Sequence, residues 1–176
     1  MTESARPEAT IQKFGASIRR ATLEDGEAIW AILEPMIRAG ETYPLPRDMG
    51  REEAVGWWFS REKEPFVWEE NGAVLGTYFL KANQLGGGAH VANCGYVTAA
   101  AAYGRGIARA MCLHSLERAN ERGFRAMQFN FVVSSNTRAV KLWSSLGFET
   151  VGRLPLVFEH PTLGFVDALV MVRPIP

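Results

Sequence analysis

The sequence predicts one α/β domain, with helices packed on the faces of a mixed sheet. Three observations lead there. The 176 residues are 47% hydrophobic, enough for one full core. Two stretches in the second half carry helical patterns that each stop at a glycine, Gly123 and Gly147, the residue that caps helices in the left-handed conformation. The whole chain reads β-α-α-β-β-β-α-β-α-β-β, an order that mixes hairpins with crossover units. No repeat, low-complexity run or linker divides it.

Met1 to about Phe14 is polar, contains Pro7 and reads as a loose tail over 1–14, with the domain over 15–176. Ser17 to Arg20 is a short strand. Thr22 suits a helix cap, and Ala28, Ile29, Ile32, Leu33, Met36 and Ile37 follow at helical spacing. Pro35 falls inside that pattern and predicts a kink or a break. Glu41-Thr42-Tyr43-Pro44-Leu45-Pro46 is a stiff non-helical loop. Arg51 to Arg61 reads as a second helix. Pro65 to Glu69 and Ala73 to Ala82 are strands joined by the hairpin turn Asn71-Gly72. The glycines Gly86 to Gly88 have no helix directly after them, so they suggest a mobile connection and not a phosphate cradle. His90 to Thr98 is the central strand. Ile107, Ala108, Met111, Cys112, Ser115, Leu116 and Ala119 make one buried helical face. Ala126 to Val133 is a strand, and a helix up to Gly147 follows. Glu149 to Leu154 is a strand, Pro155 to Gly164 a loop, and Phe165 to Val172 the closing strand.

Charge narrows the function classes. Nineteen basic residues balance nineteen acidic ones, so no global field favours nucleic acid or a membrane surface. The first ten residues lack the pattern of a secretion signal, and no apolar run reaches membrane length. A cytoplasmic location is the expectation. Cys94 and Cys112 read as small core residues, and no histidine pattern accompanies them, so no metal is expected.

The chemistry concentrates at Tyr103-Gly104-Arg105-Gly106-Ile107-Ala108, which opens a helix after the central strand. The first turn of a helix offers unpaired N–H groups and partial positive charge. Glycines let a ligand approach that backbone, so a pyrophosphate fits, with Arg105 as an added cation. The same glycines also suit a plain tight turn.

With Asn130-Phe131-Val132-Val133-Ser134-Ser135-Asn136, Ala139, Leu142-Trp143 and Leu146-Gly147-Phe148, the turn resembles the acetyl-CoA-binding core of the GNAT N-acetyltransferases. Gly106-Ile107-Ala108 matches the second half of that family's glycine motif, and Asn136 and Leu146-Gly147-Phe148 match its next helix. Tyr103 stands where the family has Arg or Gln. Trp143 stands where many members have a thiolate-protonating Tyr. The resemblance implies a mostly antiparallel seven-stranded sheet, splayed between strands 4 and 5, with helices on both faces. It also implies acetyl-CoA as co-substrate. The pyrophosphate would lie on the amides of Gly104, Arg105, Gly106, Ile107 and Ala108. The pantetheine arm would pair with Tyr96, Val97 and Thr98, and Asn136 would bond it from the far side. Asn136 equally suits a helix cap, and the two roles are compatible.

A base or a water path must free the amine, and Glu41, His90 and Glu159 are the candidates. The loop with Glu41 and Tyr43 reads as an acceptor wall or as plain surface. Asn93 and Asn130 each interrupt an apolar strand, where an unpaired amide is costly. They pair with backbone at the splay, or they face the substrate. Their placement is similar to that in the fungal proline-analogue acetyltransferases, and the phosphinothricin-type enzymes are a related branch. The resemblance therefore implies a small-molecule amine acceptor, an amino acid or an analogue. Two other readings stand beside it, a protein or peptide acetyltransferase and a non-catalytic acyl-CoA sensor. A homodimer is common in the family.

Overall fold

The computed structural model describes residues 15–176; the tail expected over 1–14 lies outside the described residues. The strands are β1 Ala16–Arg20, β2 Glu64–Glu70, β3 Ala73–Ala82, β4 Val91–Thr98, β5 Ala126–Val133, β6 Glu149–His160 and β7 Gly164–Pro174. The α-helices are α1 Gly26–Ala39, α2 Arg51–Trp58, α3 Ile107–Glu121 and α4 Thr137–Ser145. The strands form a seven-stranded sheet in the order β1-β2-β3-β4-β5-β7-β6. Every neighbouring pair is antiparallel except β4 and β5, which run parallel.

Strand alternation sorts the core into two layers. Phe66, Tyr78, Leu80, Cys94, Met127 and Phe129 pack under α3 and α4 with Met111, Cys112, Trp143 and Phe148. Val67, Phe79 and Val97 point the other way, onto Ile29, Leu33 and Ile37 of α1 and Trp58 of α2. The buried Trp58 indole donates to Thr77 Oγ1 at 2.9 Å, and Thr77 donates on to the Phe66 carbonyl at 2.8 Å. Among the described residues Glu64 is the most deeply buried carboxylate, and Arg118 at 2.8 Å and Arg122 at 2.5 Å tie it to the C-terminal end of α3.

The sheet forks in its middle. β4 and β5 pair only at Val91 with Ala126 and Ala92 with Met127. Beyond that, β4 stays with β3 and β5 stays with β7. Asn93 sits at the fork, and its Nδ2 donates to the Gln128 carbonyl at 2.8 Å, across the gap.

Three local expectations are corrected, and the connection at Gly86–Gly88 is a 3-10 turn. α1 runs unbroken through Pro35. The proline removes one backbone bond, but Ile29, Leu33 and Ile37 are almost fully buried on either side of it, and that burial offsets the loss. α2 stops at Trp58, three residues short of Arg61. The loop expected over 155–164 is mostly strand: β6 continues to His160. Pro155 signals a loop, yet the chain only bulges there. Leu156 takes a positive φ of 54°, and its N–H finds the Asp167 carboxylate at 2.8 Å in place of a ladder carbonyl. Arg153 and that same N–H hold Asp167 below the usual carboxylate range, the N–H being the larger cause.

Among the described residues no helix is long and apolar enough to cross a membrane.

Candidate active site

The fork opens into a cleft of about 580 Å³ that passes between β4 and β5. One end is built from main chain. A 3-10 turn at Ala100–Ala102 carries β4 into Tyr103–Gly106. Gly104 and Gly106 lie at φ 78° and 81°, in the left-handed region. A β-carbon on either would meet no atom within 4 Å, so these glycines serve conformation and leave the space above them open. The Ala110 N–H bonds the Gly106 carbonyl at 3.0 Å. The amides of Ile107, Ala108 and Arg109 therefore begin α3 with no helical acceptor.

Arg105, expected to add its charge here, forms an ion pair beside the turn. Its Nη2 lies 2.6 Å from Glu70 at the end of β2, and Arg105 is not among the residues that line the cleft. The cations that line the cleft are Arg109 of α3 and Arg138 of α4. Arg109 donates to Ser145 Oγ at 3.2 Å. The Arg138 guanidinium lies 4.2 Å from the centre of the Tyr103 ring. Asn136 caps α4, its Oδ1 accepting from the Ala139 N–H at 3.2 Å. It also lines the cleft, where Nδ2 remains as a donor.

The other end is made of side chains. Tyr43 from the α1–α2 loop, Trp57 of α2 and Phe79 of β3 close it, with Asn93 and Gly95 of β4 and Asn130 and Phe131 of β5. Tyr43 donates to the Tyr96 carbonyl at 3.2 Å, and burial pushes its phenol well above the usual tyrosine range. Gly95 matters for space: a β-carbon there would stand 2.7 Å from Phe79 and 2.8 Å from the Tyr43 hydroxyl. Behind the rings lies Lys63, 8% exposed. Its ammonium donates to the Trp57 carbonyl at 2.6 Å and sits 3.4 Å over the Trp57 ring. Burial pulls its pKa down to about 8.

The two asparagines diverge. Asn93 is part-buried and bridges the fork. Asn130 is exposed at the rim, donating to Asn83 Oδ1 at 2.6 Å and accepting from Gln128 at 2.8 Å. Both line the cleft, so pairing and facing the cleft coexist. Tyr96, Val97, Thr98, Gly104, Gly106, Ile107, Ala108 and Asn136 also line it. Glu41, His90 and Glu159 are exposed and outside the lining. No carboxylate or imidazole lines the cleft among the described residues. Cys94 and Tyr96 do line it, and burial raises both, so they are neutral near pH 7. Trp143 packs at 5.1 Å on Tyr96 and 5.2 Å on Phe129.

Trp57, Phe79, Lys63 and Arg138 were not singled out by sequence pattern. The three at the ring-lined end look like ordinary helix, connection and strand residues until the fold gathers them. Arg138 had a readable signal: a cation in the first turn of a helix with no acidic residue beside it.

The model of the acetyltransferase (GNAT) family matches residues 29–148. An N-acetyltransferase, aca1, of Schizosaccharomyces pombe is 28% identical, covering 76% of this chain and 72% of that protein. A solved GCN5-related N-acetyltransferase from Kribbella flavida superposes with a TM-score of 0.87 at 41% identity, over 91% of this chain and 98% of that one. A phosphinothricin acetyltransferase from Sinorhizobium meliloti, solved in complex with AcCoA, shares the fold with a TM-score of 0.79 at 22% identity, over 92% of this chain and 89% of that one.

Proposed function

We propose that this chain, which belongs to the acetyltransferase (GNAT) family, moves an acetyl group from acetyl-CoA to the amine of a small amino acid or analogue. The family makes it an acetyl-CoA-dependent acyltransferase. The observation that carries the acceptor is the shape of the cleft. Its far end is closed by Tyr43, Trp57 and Phe79 and is lined by amides with no charged side chain. That chemistry suits a small molecule with an apolar side chain and polar main-chain groups. A protein acceptor would need an open groove.

The residues fit the co-substrate. Helix-end amides at Ile107, Ala108 and Arg109 and the open space over Gly104 and Gly106 suit a diphosphate. The β4 edge at Tyr96, Val97 and Thr98 has no β5 partner, so it can receive an amide-bearing arm as a surrogate strand. The thioester supplies an activated acetyl group. The chain's own part is positioning, worth several kcal/mol when two reactants are held in line. With no carboxylate or imidazole lining the cleft, water carries the ammonium proton out before attack, and water returns a proton to the leaving sulfur. A free alkyl ammonium titrates near 10.4, so turnover rises with pH through the neutral range.

Gly106→Glu tests the cofactor end. It puts a carboxylate beside the proposed diphosphate, and affinity for acetyl-CoA should fall at least tenfold, about 1.4 kcal/mol. Unchanged calorimetric binding by a folded variant would move the co-substrate elsewhere. A second reading, a non-catalytic acyl-CoA sensor, is favoured by the lack of an acid or base in the lining. Acetyl-CoA turnover against free amino acids and peptides separates all three readings: turnover with amino acids alone is expected, with peptides alone would make the acceptor a protein, and with nothing would leave the sensor.

A further inference from the structure

We infer that Arg138, carried on the face of Tyr103, is the cation that grips the diphosphate of CoA at the glycine turn. This rests on the reading above that CoA lies in the cleft.

The two residues come from opposite lips. Tyr103 directly precedes Gly104 on the β4 side, and Arg138 lies in the first turn of α4, after β5. Their stacking, 4.2 Å from guanidinium carbon to ring centre, brings the α4 charge across to the turn. Of the other basic groups nearby, Arg105 is paired with Glu70. Arg109 keeps its charge but has one Nη donating to Ser145 Oγ at 3.2 Å, and it has no contact with Tyr103 to hold it at the turn. Arg138 has no carboxylate partner among the described ion pairs.

The contact holds the cation without using a hydrogen bond. A guanidinium over an aromatic ring is attracted by the π-face, so its N–H donors remain for phosphate oxygens, which the guanidinium fork matches. Tyr103 is 49% exposed, an open platform rather than a core ring.

The helix termini point the same way. α1 and α2 have acidic first turns, Glu27 in one and Glu52 with Glu53 in the other. α3 and α4 have none, although both begin at the cleft. Arg138 therefore stands against its own helix dipole, an arrangement that an anion in the cleft turns from unfavourable to favourable.

The test measures calorimetric affinity for acetyl-CoA, for its form lacking the 3′-phosphate, and for S-acetylpantetheine, which has no phosphate. Arg138→Gln should weaken the first two by a common factor of at least ten and leave the third unchanged. Tyr103→Leu should weaken them by a smaller factor, because the cation remains but is no longer held. Tyr103→Arg in the Arg138→Gln background should recover most of the loss. Unchanged affinities in folded Arg138→Gln would overturn the inference. So would an equal loss with S-acetylpantetheine, which would make the residue structural. A loss confined to the 3′-phosphorylated ligand would overturn the diphosphate assignment. If the wild-type protein binds none of the three, the CoA reading itself fails and the inference falls with it.

Discussion

At the glycine turn the cleft is lined by main chain and guanidinium groups; at the α1–α2 loop it is lined by rings. The glycines show what separates the two ends. Gly106 has a positive φ and nothing crowding it, so its missing side chain is a conformational need. Gly95 has ordinary backbone, but Phe79 and Tyr43 stand where its side chain would be, so its need is spatial. The proposed cofactor end is a backbone device, indifferent to most neighbouring side chains. The proposed acceptor end is a packed device, and its shape depends on every ring that closes it.

The largest effect should come from Gly95→Val. Overpacking of this kind costs roughly 1–3 kcal/mol, and the displaced rings close the acceptor end. The melting temperature should fall and the Michaelis constant for the amine should rise sharply. Gly106→Ala, a matched control, bears only local strain of about 1 kcal/mol and should leave the amine constant alone. Equal effects on the amine would erase the distinction between the two glycines.

A middle effect separates Asn93 from Asn130. Asn93→Ala strands the Gln128 carbonyl at the fork, and a lost buried partner costs about 1–3 kcal/mol. Its melt should drop and its kcat/KM for the amine should fall. Asn130→Ala, at the exposed rim, should hold its stability within about 0.5 kcal/mol and lose only kinetic efficiency. A melt of Asn130→Ala as low as that of Asn93→Ala would show that the rim network also holds the sheet.

The smallest effect concerns Lys63 and reads in pH. Between about 8 and the ordinary 10.5 the unfolded chain holds a proton that the folded chain has released. Stability of the wild type should therefore gain with rising pH across that window. Below it both states are protonated and the gain vanishes. Lys63→Met should remove the gain, whereas Arg138→Gln should not touch it. Urea melts at several pH values decide, and an unchanged slope in Lys63→Met would mean that the buried ammonium is not the source.

Legibility in the sequence followed the same division. The bounds of β3 and β5 were readable because apolar runs and turn residues are local signals, and so was the glycine turn. Pro35 and Pro155 misled, because a local breaker was outweighed by burial at one and accommodated by a bulge at the other. The Arg105 ion pair was not legible, because Glu70 lies thirty-five positions earlier in the chain. Trp57, Phe79 and Lys63 carry no motif at all; only the folding of α2 against β3 makes them one wall.

The fork in the sheet has a mechanical side. β4 and β5 share two backbone pairs, and the layer beneath α3 and α4 binds both strands. The layer beneath α1 and α2 includes Val97 of β4 but no residue of β5. One face is thus glued across the seam and the other is not, which is the construction of a hinge with its pin under α3. Such a hinge would open toward α1 and α2, the side of the proposed acceptor end. A ligand threaded between the strands would lock it, adding about 2.7 kcal/mol of stability at a hundredfold excess over its dissociation constant. The co-substrate would then be a splint as well as a reagent, and the proposed acceptor end would take its final shape only once the acetyl donor was in place.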